Sequence, residues 1–219
     1  MLIQNWMTRE VVTIAPETSM LKASKLMKER SVRRLPVVNA EGKVVGIISD
    51  RDVKEASPSK ATSLDMYEIY YLLSELKVKD VMTPCPLTVA EDDLIEVAAR
   101  IMEEKKVGGL PVVNKEGKLT GIITDSDVFK ALLRFTGASL GGLLLAFERP
   151  DRSGELRPLL DTLYAHEASL INVLSTHETQ NGLRRFYIRI RPMEAAKEEQ
   201  LIAALSGDAG LVFWRQSGR

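Results

Sequence analysis

The sequence predicts a mixed α/β protein: a duplicated unit of strands and helices, followed by a separate α+β sandwich of order βαββαβ. Three observations carry this. The stretch Leu35-Pro-Val-Val-Asn-Ala-Glu-Gly-Lys-Val-Val-Gly-Ile-Ile-Ser-Asp-Arg-Asp52 recurs as Leu110-Pro-Val-Val-Asn-Lys-Glu-Gly-Lys-Leu-Thr-Gly-Ile-Ile-Thr-Asp-Ser-Asp127. The 75-residue offset holds without a gap from Asn5/Asp80 to Ala56/Ala131, with 23 identities in 52 paired positions. After Phe135 the pattern changes, and a run of strands and helices without this repeat begins. A repeated unit that cannot bury its own apolar face stacks on its copy.

Within each copy, Pro and short apolar runs define two strands, and Glu-Gly supplies the turn between them. The second strand stops at a hydroxyl residue followed by carboxylates, the chemistry of a helix start. In the first copy, Val11 to Ile14 reads as a short strand. Met20, Ala23, Leu26 and Met27 mark a helix from about Thr18 to Arg30. Val32 leads into the hairpin, and Val53 to Ala56 belongs to the closing helix. The second copy repeats this, with Asp93 expected to cap a helix through a capping box with Glu96. Leu94, Val97, Ala98, Ile101 and Met102 form the expected buried face.

Between the copies, Ser57-Pro-Ser59 breaks the chain and Asp65 to Leu76 follows helical spacing through Met66, Ile69, Tyr70, Leu73 and Leu76. This helix either covers the core of its own module or makes a dimer contact. Gly137 to Gly142 reads as a linker. Leu143 to Phe147 is a strand, Ser153 and Gly154 precede a helix with Leu156, Leu159, Leu160 and Leu163, and Leu170 to Leu174 and Arg185 to Ile190 are further strands. A helix from about Met193 to Leu205 and a strand from Gly210 to Trp214 complete βαββαβ, a ferredoxin-like sandwich. The expected organisation is 1–56 and 80–135 for the copies, 57–79 for the helical insert, 136–142 for the linker and 143–219 for the last domain.

Thirty basic residues balance thirty acidic ones, so no global field recruits DNA or a membrane surface. The apolar run Leu143 to Phe147 is too short to span a bilayer, and no signal peptide is visible, so a cytoplasmic location is expected. The single cysteine, Cys85, lies between Pro84 and Pro86 and lacks the partners of a disulfide or a zinc site. His166 and His177 are the only histidines, and neither has neighbours at metal-ligand spacing. Trp6 and Trp214 read as packing residues. No nucleophile elbow, P-loop or dinucleotide fingerprint is present, so no catalytic residues, metal or catalytic cofactor are expected.

The chemistry concentrates at Gly-Ile-Ile-Ser/Thr-Asp-x-Asp. Gly46 and Gly121 permit close backbone approach. Ser49 and Thr124 place a hydroxyl at a helix N-terminus, where unpaired amides favour phosphate. Asp52 and Asp127 can accept hydrogen bonds from both hydroxyls of a ribose. On spacing alone, Ser/Thr-x-x-Asp reads first as plain helix capping. Duplication adds the second possibility, two related clefts. Arg33, Arg34 and Arg51 of the first copy stand where the second has Gly108, Gly109 and Ser126, so the clefts are expected to differ in their hold on phosphate unless Arg33 or Arg34 reaches across.

Asp80-Val-Met-Thr83, the paired Leu-Pro-Val-Val-Asn stretches and the doubled Gly-Ile-Ile-Ser/Thr-Asp-x-Asp resemble a pair of CBS domains (a Bateman module), over residues 1 to about 135. That resemblance implies a regulatory ligand, an adenine nucleotide (AMP, ADP or ATP). It implies that Asp52 and Asp127 hold ribose, and that Ser49 or Thr124 helps hold ribose or phosphate. It also implies that Ile47 and Ile122 flank adenine together with Val12, Leu87, Val32 and Val107 from the facing repeat. The C-terminal portion resembles an ACT domain, a βαββαβ fold often used to sense amino acids. Asp151-Arg-Ser-Gly-Glu-Leu156 resembles its ligand turn, making Asp151, Ser153 and Gly154 the ligand candidates, although Ser153 replaces the usual Pro. The whole resembles the acetoin-utilisation AcuB-type family.

Arg184, Arg185, Arg189 and Arg191 around one strand read as a solvated edge or sheet face rather than an RNA or acidic-partner surface. The expected function is a non-catalytic nucleotide sensor acting as a homodimer on an unidentified metabolic partner protein. The alternative is a dimerising scaffold with an amino-acid-sensing or vestigial ACT domain.

Overall fold

The structure, a computed structural model, describes residues 1–57, 65–176, 181–207 and 210–217, apart from the side chains of Met66 and Ser217. Pro58, Ser59 and His177 lie outside the described residues. The chain forms two compact units, 1–129 and 130–219.

The first unit holds α1 (Met20–Glu29), β1 (Arg34–Val38), β2 (Val44–Ser49), α2 (Asp50–Ala56), α3 (Met66–Glu75), β3 (Thr83–Pro84), β4 (Val89–Ala90), α4 (Ile95–Lys105), β5 (Gly109–Val113), β6 (Leu119–Thr124) and the start of α5 (Asp125–Thr136). The hairpins β1–β2 and β5–β6 share one register, Arg34 facing Ser49 and Gly109 facing Thr124. Both carry a bulge at the second valine of Pro-Val-Val. Pro36 and Pro111 hold the same place in the two hairpins, facing Ile47 and Ile122.

The two copies exchange their lead segments. Main-chain amides of Ile3 and Gln4 donate to Asp93 and Glu91 at 2.9 and 3.0 Å, and Ile95 donates to Met1 at 2.8 Å. At the 75-residue offset, Val78 and Lys79 donate to Thr18 and Pro16 at 2.8 and 3.0 Å, and Met20 donates to Leu76 at 2.8 Å. Strand β3 then joins β2 at Ile47↔Thr83, and Thr8 bridges β6 at Ile122. The hairpin turns meet at Lys43↔Lys118. Each copy is thus completed by the other.

Several boundaries differ from the sequence reading. Val11 to Ile14 forms only a bridge, Ile14↔Val37, because the Val11 amide turns back onto the Arg9 carbonyl. Asp93 does not cap α4: its Oδ2 accepts from the Ala90 amide at 2.8 Å, closing the preceding turn. Helix α4 consequently starts at Ile95, with Leu94 about half exposed and Ile95 taking the buried position. Helix α1 keeps a side-chain cap, Ser19 accepting from the Lys22 amide.

Asp65 and Glu68 form the capping box of α3. Ile69, Leu73 and Leu76 then pack into the core of the first repeat, with Met20, Met27, Leu35, Val37 and Ile48. The insert therefore covers its own module, and Tyr67, Tyr70, Tyr71 and Leu72 point outward.

The second unit contains β7 (Gly142–Pro150), α6 (Leu156–Ala165), β8 (Leu170–Ser175), β9 (Leu183–Ile190), α7 (Ala195–Leu205) and β10 (Leu211–Ser217). The antiparallel sheet has the order β10-β7-β9-β8, which is ferredoxin-like. Leu143, Leu145 and Phe147 of β7 and Phe186, Ile188 and Ile190 of β9 face Leu159, Leu163, Leu201 and Leu205 of the two helices. The expected linker is shorter than 136–142: Ala138–Leu140 forms a 3-10 turn and Gly142 opens β7.

Candidate functional site

Both hydroxyl–carboxylate pairs form where the motif places them. Ser49 is extended, and Asp52 Oδ2 accepts from its amide at 2.6 Å and from its hydroxyl at 2.7 Å. Asp127 Oδ2 accepts from the Thr124 amide at 3.0 Å and hydroxyl at 2.6 Å. Each carboxylate is therefore fixed at the opening of a helix by its own cap. The two copies differ in exposure: Asp127 and Ile122 are buried, whereas Asp52 and Ile47 are half-buried.

The two helix starts are joined by Arg34. Its Nη1 donates to the carbonyl of Gly108 in the other repeat. The second copy makes room for this side chain by having no side chain of its own there. A Cβ on Gly109 would stand 2.9 Å from Arg34 Cδ, and one on Gly108 would stand 3.1 Å from Asp125 Oδ2. Burial lowers the Arg34 pKa, and the charges of Asp125 and Asp50 oppose that shift. Asp50 is itself held below the usual carboxylate range, first by the hydrogen bond from Lys54 at 2.9 Å. A cation thus sits between two acidic helix starts. Arg33 and Arg51 are exposed.

The remaining predicted residues spread around this centre. Val32 adjoins Arg33 and Arg34 in its own repeat, where it packs, like Val12, against the first core. Val107 precedes Gly108 and is half-buried. Leu87 is about half exposed. Val11 and Thr13, the neighbours of Val12, line a cleft of about 250 Å³ with Arg9, Val38, Gly42, Leu119 and Thr120. That cleft lies at the beginning of β6, away from Thr124 at its end. Gly46 and Gly121 make space for methionines rather than open surface: a Cβ would lie 3.0 Å from Met82 Cγ or Met7 Cγ, each from the facing repeat. Met7 and Met82 carry no charge or breaker signal, so sequence reasoning passed over their part in the exchange. A second groove, about 360 Å³, runs between α1 and α2 over Ser24, Met27, Lys28, Asp50, Val53, Lys54 and Ser57; of these only Asp50 belongs to the repeated motif.

In the second unit, Asp151 pairs with Arg184 at 2.7 Å, and Ser153 and Gly154 are exposed. The turn is anchored by Glu155, whose buried carboxylate lies 3.0 Å from Arg149 and also pairs with Arg152. The hydrogen bond from Arg152 leads the effects that hold Glu155 below the usual range. The expectation of a solvated arginine strand needs correction. Arg184 and Arg185 are ion-paired with Asp151 and Glu148, and Arg189 is only 6% exposed. The end of α5 reaches this face, Asn172 Nδ2 donating to the Phe135 carbonyl at 2.8 Å. Among the described residues no His, Cys, Asp and Glu cluster could hold a metal ion, and no helix is long and apolar enough to cross a membrane.

Comparison with known proteins matches the CBS domain twice, at residues 3–59 and 78–134, together just over half of the chain. A CBS domain-containing protein of Dictyostelium discoideum is 34% identical over 133 residues, covering 61% of this chain and 92% of that protein. An inosine-5'-monophosphate dehydrogenase of Korarchaeum cryptofilum is 30% identical over 206 residues, 89% of this chain, but the match spans only 40% of the dehydrogenase. Among solved structures, CBSX2, a chloroplastic protein of Arabidopsis thaliana, in complex with AMP is 34% identical with a TM-score of 0.52, covering 62% of this chain and 98% of that one. A structure named for acetoin utilization (AcuB) from Vibrio cholerae is 31% identical with a TM-score of 0.52, covering 63% and 93%. With its two matched repeats, each completed by the lead segment of the other, the chain belongs to the CBS domain family.

Proposed function

We propose that this chain is a non-catalytic regulatory module that binds an adenine nucleotide, AMP, ADP or ATP, at the paired helix starts of its CBS repeats. The observation carrying this reading is the duplicated hydroxyl–carboxylate pair with Arg34 between the copies. A carboxylate fixed by its cap is a ready acceptor for ribose hydroxyls. Guanidinium holds phosphate through charge-assisted bonds. The AMP complex of the 34% identical CBSX2 supports the ligand class. In this reading 1–56 and 80–135 are the two repeats, and 143–219 is an ACT-like domain with Asp151, Ser153 and Gly154 as its ligand turn. Nucleotide binding would select one arrangement of the repeats and pass it to that domain or to a metabolic partner. The effect is limited to the difference in affinity between the two states.

Calorimetric titration with adenosine, AMP, ADP and ATP tests this. Binding is expected in the wild type and its loss in the Asp52→Ala/Asp127→Ala double variant; equal affinity in both would overturn the ribose assignment. The exposed Phe129, Leu132, Leu133 and Phe135 of α5, with Tyr67 and Tyr71 of α3, favour a homodimer. Light scattering should then give about twice the 24.4 kDa chain mass, and a monomer across micromolar concentrations would refute it. These same faces favour the second reading, a dimerising scaffold, if no nucleotide binds.

A further inference from the structure

On the face of the second unit's sheet opposite α6 and α7, one row runs Arg215–Leu144–Arg189–Asn172 across β10, β7, β9 and β8. Arg189 is 6% exposed, and its Nε and Nη1 are buried with no hydrogen-bond partner among the described residues. A guanidinium stays charged at every physiological pH and carries five N–H donors, so covering it without acceptors is costly. Its neighbours do not supply them. The row contains no carboxylate. Four residues along β7, Glu148 is taken by Arg185, and beyond the strand Asp151 is taken by Arg184. The last turn of α5 lies close, since a Cβ on Gly137 would stand 3.4 Å from Arg189 Cδ. Three of its carbonyls already accept elsewhere: Leu133 O from the Thr136 hydroxyl, Arg134 O from the Gly137 amide, and Phe135 O from Asn172. A methionine would fill an ordinary helix–sheet seam at no electrostatic cost, so arginine here calls for a counter-ion.

We infer that Arg189 marks a site for a small oxyanion, a carboxylate or a phosphate-type group, on the outer face of the C-terminal sheet beside the end of α5. Exposed Arg215 in the same row, and exposed Arg191 two residues on, add positive charge around it. The site is separate from the turn at Asp151, Ser153 and Gly154. Arg189 faces Leu144, six residues along β7 from Pro150, or about 20 Å of strand. It also does not depend on nucleotide binding by the CBS repeats.

The test follows the arginine itself in the full chain. The Nε–H resonance of Arg189 in the 15N-labelled protein is assigned by its disappearance in Arg189→Lys. It is then followed while sodium acetate, phosphate or sulfate replaces chloride at constant ionic strength. The expected result is a saturable shift of this resonance with at least one oxyanion, and the acetate and phosphate arms separate the two chemistries. In thermal unfolding, Arg189→Met should match or exceed the wild-type midpoint in chloride, and should lose the part of the oxyanion-induced rise that depends on Arg189. A resonance that stays still, or drifts linearly like those of exposed arginines with every anion, overturns the site. The wild-type resonance decides this even if Arg189→Met fails to fold.

Discussion

Replacing Arg34 by methionine removes the cation between the helix starts while keeping the aliphatic stem. In the free protein the loss is one charge-assisted hydrogen bond, from Nη1 to the Gly108 carbonyl. Such bonds contribute about 1.5–3 kcal/mol. Arg34 is only half-buried, and its removal also relieves a desolvation cost, so the net loss of stability should be about 1–2 kcal/mol. That corresponds to a fall of about 3–6 °C in melting temperature. The nucleotide effect should be larger and should depend on phosphate. Only one of the five guanidinium donors is used by Gly108, so the others can reach a phosphate without breaking the link. Losing one such contact should weaken ATP and ADP about ten- to a hundredfold, and adenosine less than about threefold. Calorimetry with adenosine, AMP, ADP and ATP measures both. Gly109→Ala should act in the same direction, because its Cβ would stand 2.9 Å from Arg34 Cδ and displace the side chain. Equal losses for adenosine and ATP, or a wild-type profile in both variants, would show that Arg34 serves the fold alone.

With Arg34 reaching across to Gly108, Arg51 still sets the first cleft apart from the second, which has Ser126 there; Arg51→Ala is expected to weaken ATP more than adenosine, and titration of that variant with both ligands decides. Leu73→Ala should destabilise the first unit by about 2–4 kcal/mol, because Leu73 is buried against the first core, and Tyr71→Ala on the exposed face by less than about 0.5 kcal/mol; similar urea midpoints for both would refute the docking of α3. The hydrogen bond from Arg152 holds Glu155 below the usual carboxylate range, so its stabilisation is present at neutral pH and lost as pH falls from the ordinary glutamate range through the depressed value. Acid unfolding of the second unit should therefore steepen in that window, and Glu155→Gln should flatten it.

The repeat made the first unit legible, since two copies at one offset reveal strands, turns and helix starts that a single copy leaves ambiguous. Hydrophobic alternation likewise placed Phe186, Ile188 and Ile190 on the core face of β9. What was not legible is pairing between distant segments. Thr8 reaches β6 through a single bridge and Thr83 reaches β2 through a two-residue strand, too short to leave a periodic signal. Asp93 shows a local contest: its side chain can cap a helix or close the turn before it, and the turn holds it. Arg189 shows the limit of alternation, which gives the face of a strand but not what covers it.

The exchange of lead segments also bears on how a nucleotide signal could travel. Methionines 7 and 82 occupy the space over Gly121 and Gly46, each belonging to the lead segment of the opposite repeat. A ligand that shifts β2 near Ser49 therefore presses on residues whose chain continues into the second repeat, and the same holds for β6 in reverse. Packed interiors resist continuous deformation, so such a shift favours one discrete arrangement over another. Gly121→Ala tests this link apart from ligand chemistry. Its Cβ would stand 3.0 Å from Met7 Cγ and 3.1 Å from the Thr8 carbonyl, while Ser49, Asp52 and Arg34 keep their own contacts. If the lead segments couple the repeats, the variant should alter nucleotide affinity at the Ser49/Asp52 pair, measured in an Asp127→Ala background. Unchanged affinity there, in a protein destabilised by the substitution, would show that the exchanged segments join the repeats without coupling their sites.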